Sequence, residues 1–92
     1  MPAEPLADYV IRTHAAIAMA RRGIDRDEVH TVLANPEQRI VVRAGRDVFQ
    51  SRMKLPGRAV LIRVFVDIDR HPAEVVTAYR TSKIEKYWRP SV

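Results

Sequence analysis

The chain contains no cysteine, so disulfides, thiolate nucleophiles and cysteine-based zinc sites are excluded. That lack fits a reducing cytoplasm, the compartment expected for it. Only three glycines occur, and they form neither a Gly-rich phosphate loop nor a Gly-x-Ser-x-Gly elbow. His14, His30 and His71 are widely separated, with no carboxylate at ligand spacing, so no metal and no cofactor is expected. No apolar run approaches the roughly 20 residues that span a bilayer. The longest, Ala59 to Val66, is interrupted by Arg63, so no membrane association is expected. The first ten residues carry Pro2, Glu4, Pro5 and Asp8 and no basic region, which argues against a signal peptide.

What is present is enough for one domain over residues 1–92. A hydrophobic content of 47% rules out a disordered tail. A chain this short buries only about 60–65% of its unfolded surface, enough for one core. Sixteen Lys and Arg oppose eleven Asp and Glu, a formal charge of +5. The excess is one-sided. Residues 1–37 hold four basic and six acidic side chains, and residues 38–92 hold twelve basic and five acidic. Thirteen of the cations are Arg, whose planar fork suits two-point contacts to phosphate. A basic, Arg-rich half is what a nucleic-acid partner requires; a merely solvated surface has the same composition.

Residues 1–8 read as a flexible leader, and Tyr9 to Ile11 as a short extended lead-in. Thr13 stands at an N-cap position. The run His14 to Arg22 is Ala-rich and unbroken, which predicts a well-buried helix closed by Gly23. Asp25 and Glu28 form a capping-box pair for a second helix, with Val29, Val32 and Leu33 on one face and Asn35-Pro36 as its stop. His30 reads as a surface residue. The period then changes to two. Strands are predicted at Gln38–Arg43, Asp47–Met53, Arg58–Asp67 and Ala73–Arg80, separated by Ala44-Gly45, Pro56-Gly57 and a polar turn at Ile68–Pro72. Ser82 and Glu85 would cap a short helix from Lys83 to Trp88. The fold class expected is α+β: two N-terminal helices packed on a four-stranded antiparallel meander, with a short C-terminal helix. One sheet face would stay open, polar and basic. The closing aromatics Ile84, Tyr87 and Trp88 share a helix face that would pack on the sheet edge.

One metal-independent constellation is available: His14, a set of Arg, and the hydroxyl-rich end Thr77, Tyr79, Thr81 and Ser82. RNA carries its own nucleophile, the 2′-hydroxyl. Cleavage then needs a base, neutralisation of the phosphorane and a proton for the 5′-oxygen. His14 at a helix start is favoured in its neutral, basic form. A lone histidine there also reads as a plain cap or surface residue.

Two stretches resemble the bacterial family known as domain of unknown function 4258. One is THAAIAMARRGIDRDEVHTVLANPE, residues 13–37; the other is VVTAYRTSKIEKYW, residues 75–88. Gly45-Arg46 matches a Gly-Arg common between the family's first strands. The layout is similar to RelE-like and BrnT-like ribonuclease toxins. The resemblance implies a metal-independent endoribonuclease with His14, Arg22, Tyr79 and Thr81 as catalytic residues. Arg21, Arg46, Arg52, Arg80 and Lys83 would hold RNA, and an antitoxin protein would be the partner. The chain departs from the family at Ala18, where an Arg is usual, so Arg21 would have to substitute. The alternative is a non-catalytic RNA- or protein-binding module on the same fold, or a purely structural interaction protein.

Overall fold

The computed structural model describes residues 3–90. In chain order the elements are β1 (Tyr9–Val10), α1 (Thr13–Arg21), α2 (Arg26–Ala34), β2 (Gln38–Arg43), β3 (Arg46–Leu55), β4 (Arg58–Asp67), β5 (Ala73–Thr81) and α3 (Ile84–Tyr87). The class is α+β, as expected. The sheet departs from the predicted four-stranded antiparallel meander. It has five strands in the order β1-β5-β4-β3-β2, and β1 pairs in parallel with the start of β5. The lead-in is therefore a strand. Two residues carry no periodicity, and their partner Ala73-Glu74 lies far along the chain, so only tertiary pairing reveals them. The part of the leader that is described makes two backbone hydrogen bonds, Ala3 N–H to the Pro36 carbonyl and Leu6 N–H to the Leu33 carbonyl.

Local signals explain most element ends. Gly23 has φ +72°, and the N–H groups of Gly23 and Ile24 return to the carbonyls of Ala20 and Met19, a Schellman closure. The Asp25 carboxylate accepts from the Glu28 N–H at 2.8 Å, and the Glu28 side chain accepts from the Asp25 N–H at 3.2 Å. Gly45 (φ +84°) and Gly57 (φ +78°) close the two tight hairpins, conformations that side chains with a Cβ disfavour. Two expected caps are absent. Arg12, not Thr13, precedes α1 and makes no side-chain cap bond. Ser82 and Glu85 form no capping box; the Thr81 hydroxyl instead accepts from the Lys83 N–H at 3.1 Å.

The helices cover one sheet face. Met19, Ile24, Val29, Val32 and Leu33 pack with Phe49, Ile62, Val64, Val66, Val75 and Ala78 in one core. α1 is less buried than its composition predicts: only Ala15 and Met19 are fully enclosed, and Ile17 is 49% exposed. It lies along β5 and shields one side. The alternating strand β4 sends Leu61, Arg63 and Phe65 to the opposite face. That face is not simply open and polar. Val48 and Leu61 are buried there, and the C-terminal segment crosses it rather than packing at the sheet edge. The Tyr87 carbonyl accepts from Gln50 on β3 at 3.1 Å, and the Arg52 guanidinium stacks 4.1 Å from the Trp88 ring. No described helix is long and apolar enough to cross a membrane.

Candidate nucleic-acid interface

A polar rung runs across the helix-free face. Strand register sets Gln38 opposite Gln50, Gln50 opposite Arg63 and Arg63 opposite Tyr79. The Gln50 amide donates to the Gln38 carbonyl oxygen at 2.7 Å. Arg63 Nε donates to Gln50 Oε1 at 2.9 Å, and Arg63 Nη1 donates to the Tyr79 hydroxyl at 2.8 Å. Gln50 is fully buried, so these bonds are what allow a primary amide to sit there. The rung fixes the Arg63 guanidinium among three rings, at 4.3 Å from Tyr87, 5.3 Å from Phe65 and 5.8 Å from Tyr79.

A second guanidinium reaches the same place from α1. Arg22 Nη1 donates to the Thr77 hydroxyl at 3.0 Å, and its guanidinium lies 6.0 Å from the Tyr79 ring. Neither Arg22 nor Arg63 has a carboxylate partner among the described residues. Six other Arg are paired, to Glu74 (twice), Asp47, Asp67, Glu37 and Glu28; what sets Arg22 and Arg63 apart is that both lie against the same Tyr79 ring. A guanidinium has five N–H donors, and only two of those on Arg63 and one on Arg22 are used. Two cations against one tyrosine, with donors to spare, have the chemistry to hold an anion. The Tyr87 phenol is drawn below the usual range by the neighbouring Tyr79 hydroxyl and by the Lys86 and Arg63 cations.

His14 is exposed and lines a hollow of about 210 Å³ with Arg12, Asp67, Arg70, Glu74 and Val76. Val76 directly precedes Thr77 in β5, while His14 and Arg22 stand at opposite ends of α1, about 12 Å apart along its axis and about 80° apart around it. Ala18 is the small residue between the two functional types.

The other candidate residues are placed as follows. Tyr79 joins Arg22. Arg21 is exposed in the last turn of α1 and does not take the Thr77 contact. Arg46 lies at the His14 end, where two bonds of 2.6 and 3.2 Å tie it to Asp67, its direct partner across β4. Arg52 is bound to Glu37 and stacked on Trp88. Arg80 points to the helix side, where it donates to Glu28 at 2.7 Å and to the Gly23 carbonyl at 2.9 Å. It thereby locks the α1–α2 turn to β5. Thr81 lies beyond the rung, paired across to Leu61, and its hydroxyl supports the turn into α3 where Lys83 sits exposed. His30 lies away from this site, with its ring Nδ1 joined to the Tyr9 hydroxyl. Among the described residues, no three His, Asp or Glu side chains gather into a metal-holding group.

Arg63 and Gln50 were not singled out from the sequence as functional. The available signal was Arg63 itself, a lone charge inside an apolar central strand, which demands a partner wherever it folds.

Residues 11–84 match the family described as Domain of unknown function (DUF4258). The chain belongs to this family. The match takes in α1, α2, all of the sheet except β1, and every residue of the Arg22–Arg63–Tyr79 site. No curated protein and no solved structure matches the chain. DUF4258 thus establishes kinship from the start of α1 to the start of α3, and the family description assigns no chemistry.

Proposed function

We propose that this DUF4258 protein is a metal-independent endoribonuclease of toxin-like type, acting on single-stranded RNA across the helix-free face. The observation that carries this reading is the pair of carboxylate-free guanidiniums, Arg22 and Arg63, set around Tyr79. RNA phosphate is the anion they would hold, and their charge would offset the phosphorane as it forms. His14, in its hollow, takes the proton of the 2′-hydroxyl. The 2′-oxygen attacks phosphorus and the bond to the 5′-oxygen breaks. Tyr87 or Tyr79 returns a proton to the leaving oxygen. The products are a 2′,3′-cyclic phosphate and a free 5′-hydroxyl. The toxin role, an antitoxin partner and a cytoplasmic setting belong to the same proposal. Arg46, Arg52 and Arg80, held in ion pairs, act chiefly as scaffold, and Thr81 supports the turn rather than the chemistry.

One observation favours the second reading, a non-catalytic RNA-binding module. His14 lies outside the Arg22–Arg63 group, and Ala18 leaves the space between them without a cation. Cleavage separates the two. Incubation of a single-stranded RNA with the protein in EDTA yields cyclic-phosphate ends under the first reading, and His14→Ala slows cutting by about 100-fold or more. Intact RNA that is nevertheless bound by both proteins establishes the module. Absence of RNA binding even at low salt removes both readings.

A further inference from the structure

A second surface lies at the far edge of the sheet from β1. β2 is an edge strand, with no strand on its outer side among the described residues. Natural edges are usually guarded by charged side chains, Pro, bulges or covering segments. β2 reads Gln-Arg-Ile-Val-Val-Arg; it carries no Pro, and of its two charges Arg39 is already neutralised by Asp47. Its single irregularity lies between Val41 and Arg43. Val41 is 70% and Val42 47% exposed, and together with Ile17 these are the exposed large aliphatics among the described residues. Alongside the edge runs a groove of about 680 Å³, lined by Gln38, Arg39, Ile40, Val41, Arg89 and Pro90.

We propose that this edge receives an extended segment of a partner protein as a sixth strand, apolar at its centre and carboxylate-bearing at its ends. Main-chain bonds along β2 would give the affinity, and Ile40, Val41 and Val42 would provide the apolar contact. The ends are specified by charge. Arg43 stands at one end; its guanidinium donates to the Ala44 carbonyl at 3.3 Å and forms no ion pair among the described residues. Arg89 stands at the other, positioned by two backbone bonds to the Gln38 amide. Neither has a carboxylate partner among the described residues, whereas Arg39 between them is already bound to Asp47 at 2.7 Å. The same charges reject a second copy of this chain. Antiparallel pairing of two β2 strands sets Arg43 of one beside Gln38 of the other, and Gln38 carries Arg89 with it. Like charges would then meet at both ends. An acidic-flanked partner reverses each of those contacts. This inference does not depend on RNA cleavage, because β2 is separated from the Arg22–Arg63 site by β3.

The test uses the full chain and two synthetic peptides of about ten residues. Both share an alternating Thr/Val/Ile centre; one is flanked by Asp and Glu, the other by Lys. Amide NMR titration is expected to show the acidic-flanked peptide shifting residues 38–43 and binding about tenfold or more tighter than its Lys-flanked counterpart. Val41→Lys, on an exposed position that spares the fold, is expected to abolish binding. Arg43→Glu is expected to narrow or reverse the preference. Neither variant touches the Arg22–Arg63–Tyr79 site, so the loss of RNA binding on Arg22→Gln should persist in both backgrounds, which keeps failure here distinct from failure of the ribonuclease reading. Equal binding of the two peptides, no perturbation of β2 at millimolar peptide, or self-association of the free chain through β2 in sedimentation each overturns the proposal.

Discussion

Arg22→Gln removes one of the two free guanidiniums while disturbing little else. Arg22 follows the last turn of α1 and is exposed; its one side-chain hydrogen bond is to Thr77. An exposed surface bond of this kind contributes about 0.5–1.5 kcal/mol, so the fold should lose no more than about 1.5 kcal/mol. RNA binding should lose more. A hydrogen bond to a charged group is worth about 1.5–3 kcal/mol, which corresponds to a rise in Kd of about 10- to 100-fold. The same change deletes one phosphate-neutralising charge. The slope of log K against log salt should therefore flatten by about 0.7 for a single-stranded RNA. Fluorescence anisotropy with a short labelled oligonucleotide, between about 50 and 200 mM salt, reads both quantities. Arg58→Gln is the control, because Arg58 is equally cationic and exposed but sits at the Pro56-Gly57 hairpin. Equal losses in the two variants would mean that RNA senses only net charge, and the Arg22–Arg63–Tyr79 site would have no special standing.

Further predictions test the parts around that site. Ala18→Arg places a third guanidinium on α1 between His14 and Arg22; it should steepen the salt slope by about 0.7, and an unchanged slope in the same anisotropy assay would show that RNA does not run along α1. Gln50→Leu leaves Arg63 Nε and the Tyr87 carbonyl without their partner, so denaturant unfolding should show a loss of about 1–3 kcal/mol, with the amides of residues 84–88 shifted most. A loss confined to β3, with residues 84–88 unmoved, would count against the rung as the anchor of the C-terminal segment. Bonding to Arg46 holds the Asp67 carboxyl below its ordinary pKa. Its contribution is thus fully present above the unfolded carboxylate value, about 3.9, and disappears as pH falls through the lower folded value. Asp67→Asn should be less stable than the parent at pH 7 and converge on it once pH has fallen through the lowered folded value; a gap that persists unchanged into acid would refute the assignment.

The sequence determined what depends on neighbours a few residues apart. The Gly23 closure, the Asp25–Glu28 box and the turns at Gly45 and Gly57 each need only local backbone chemistry. Period-two alternation located β2 and β4 with their observed limits. Strand parity even carried an unused lesson: Tyr79 and Arg80 are adjacent in one strand, so they point to opposite faces and cannot serve one site. The tertiary structure alone decided the rest, because it turned on partners distant in the chain. The pairing of Tyr9-Val10 with Ala73-Glu74, and the crossing of the C-terminal segment over the sheet face, leave no periodic trace in so few residues. Above all, an arginine's availability is a long-range property. Arg46, Arg52 and Arg80 look as free in the sequence as Arg22 and Arg63. Only folding brings Asp67, Glu37 and Glu28 against the first three and leaves the other two with uncompensated charge beside the same tyrosine.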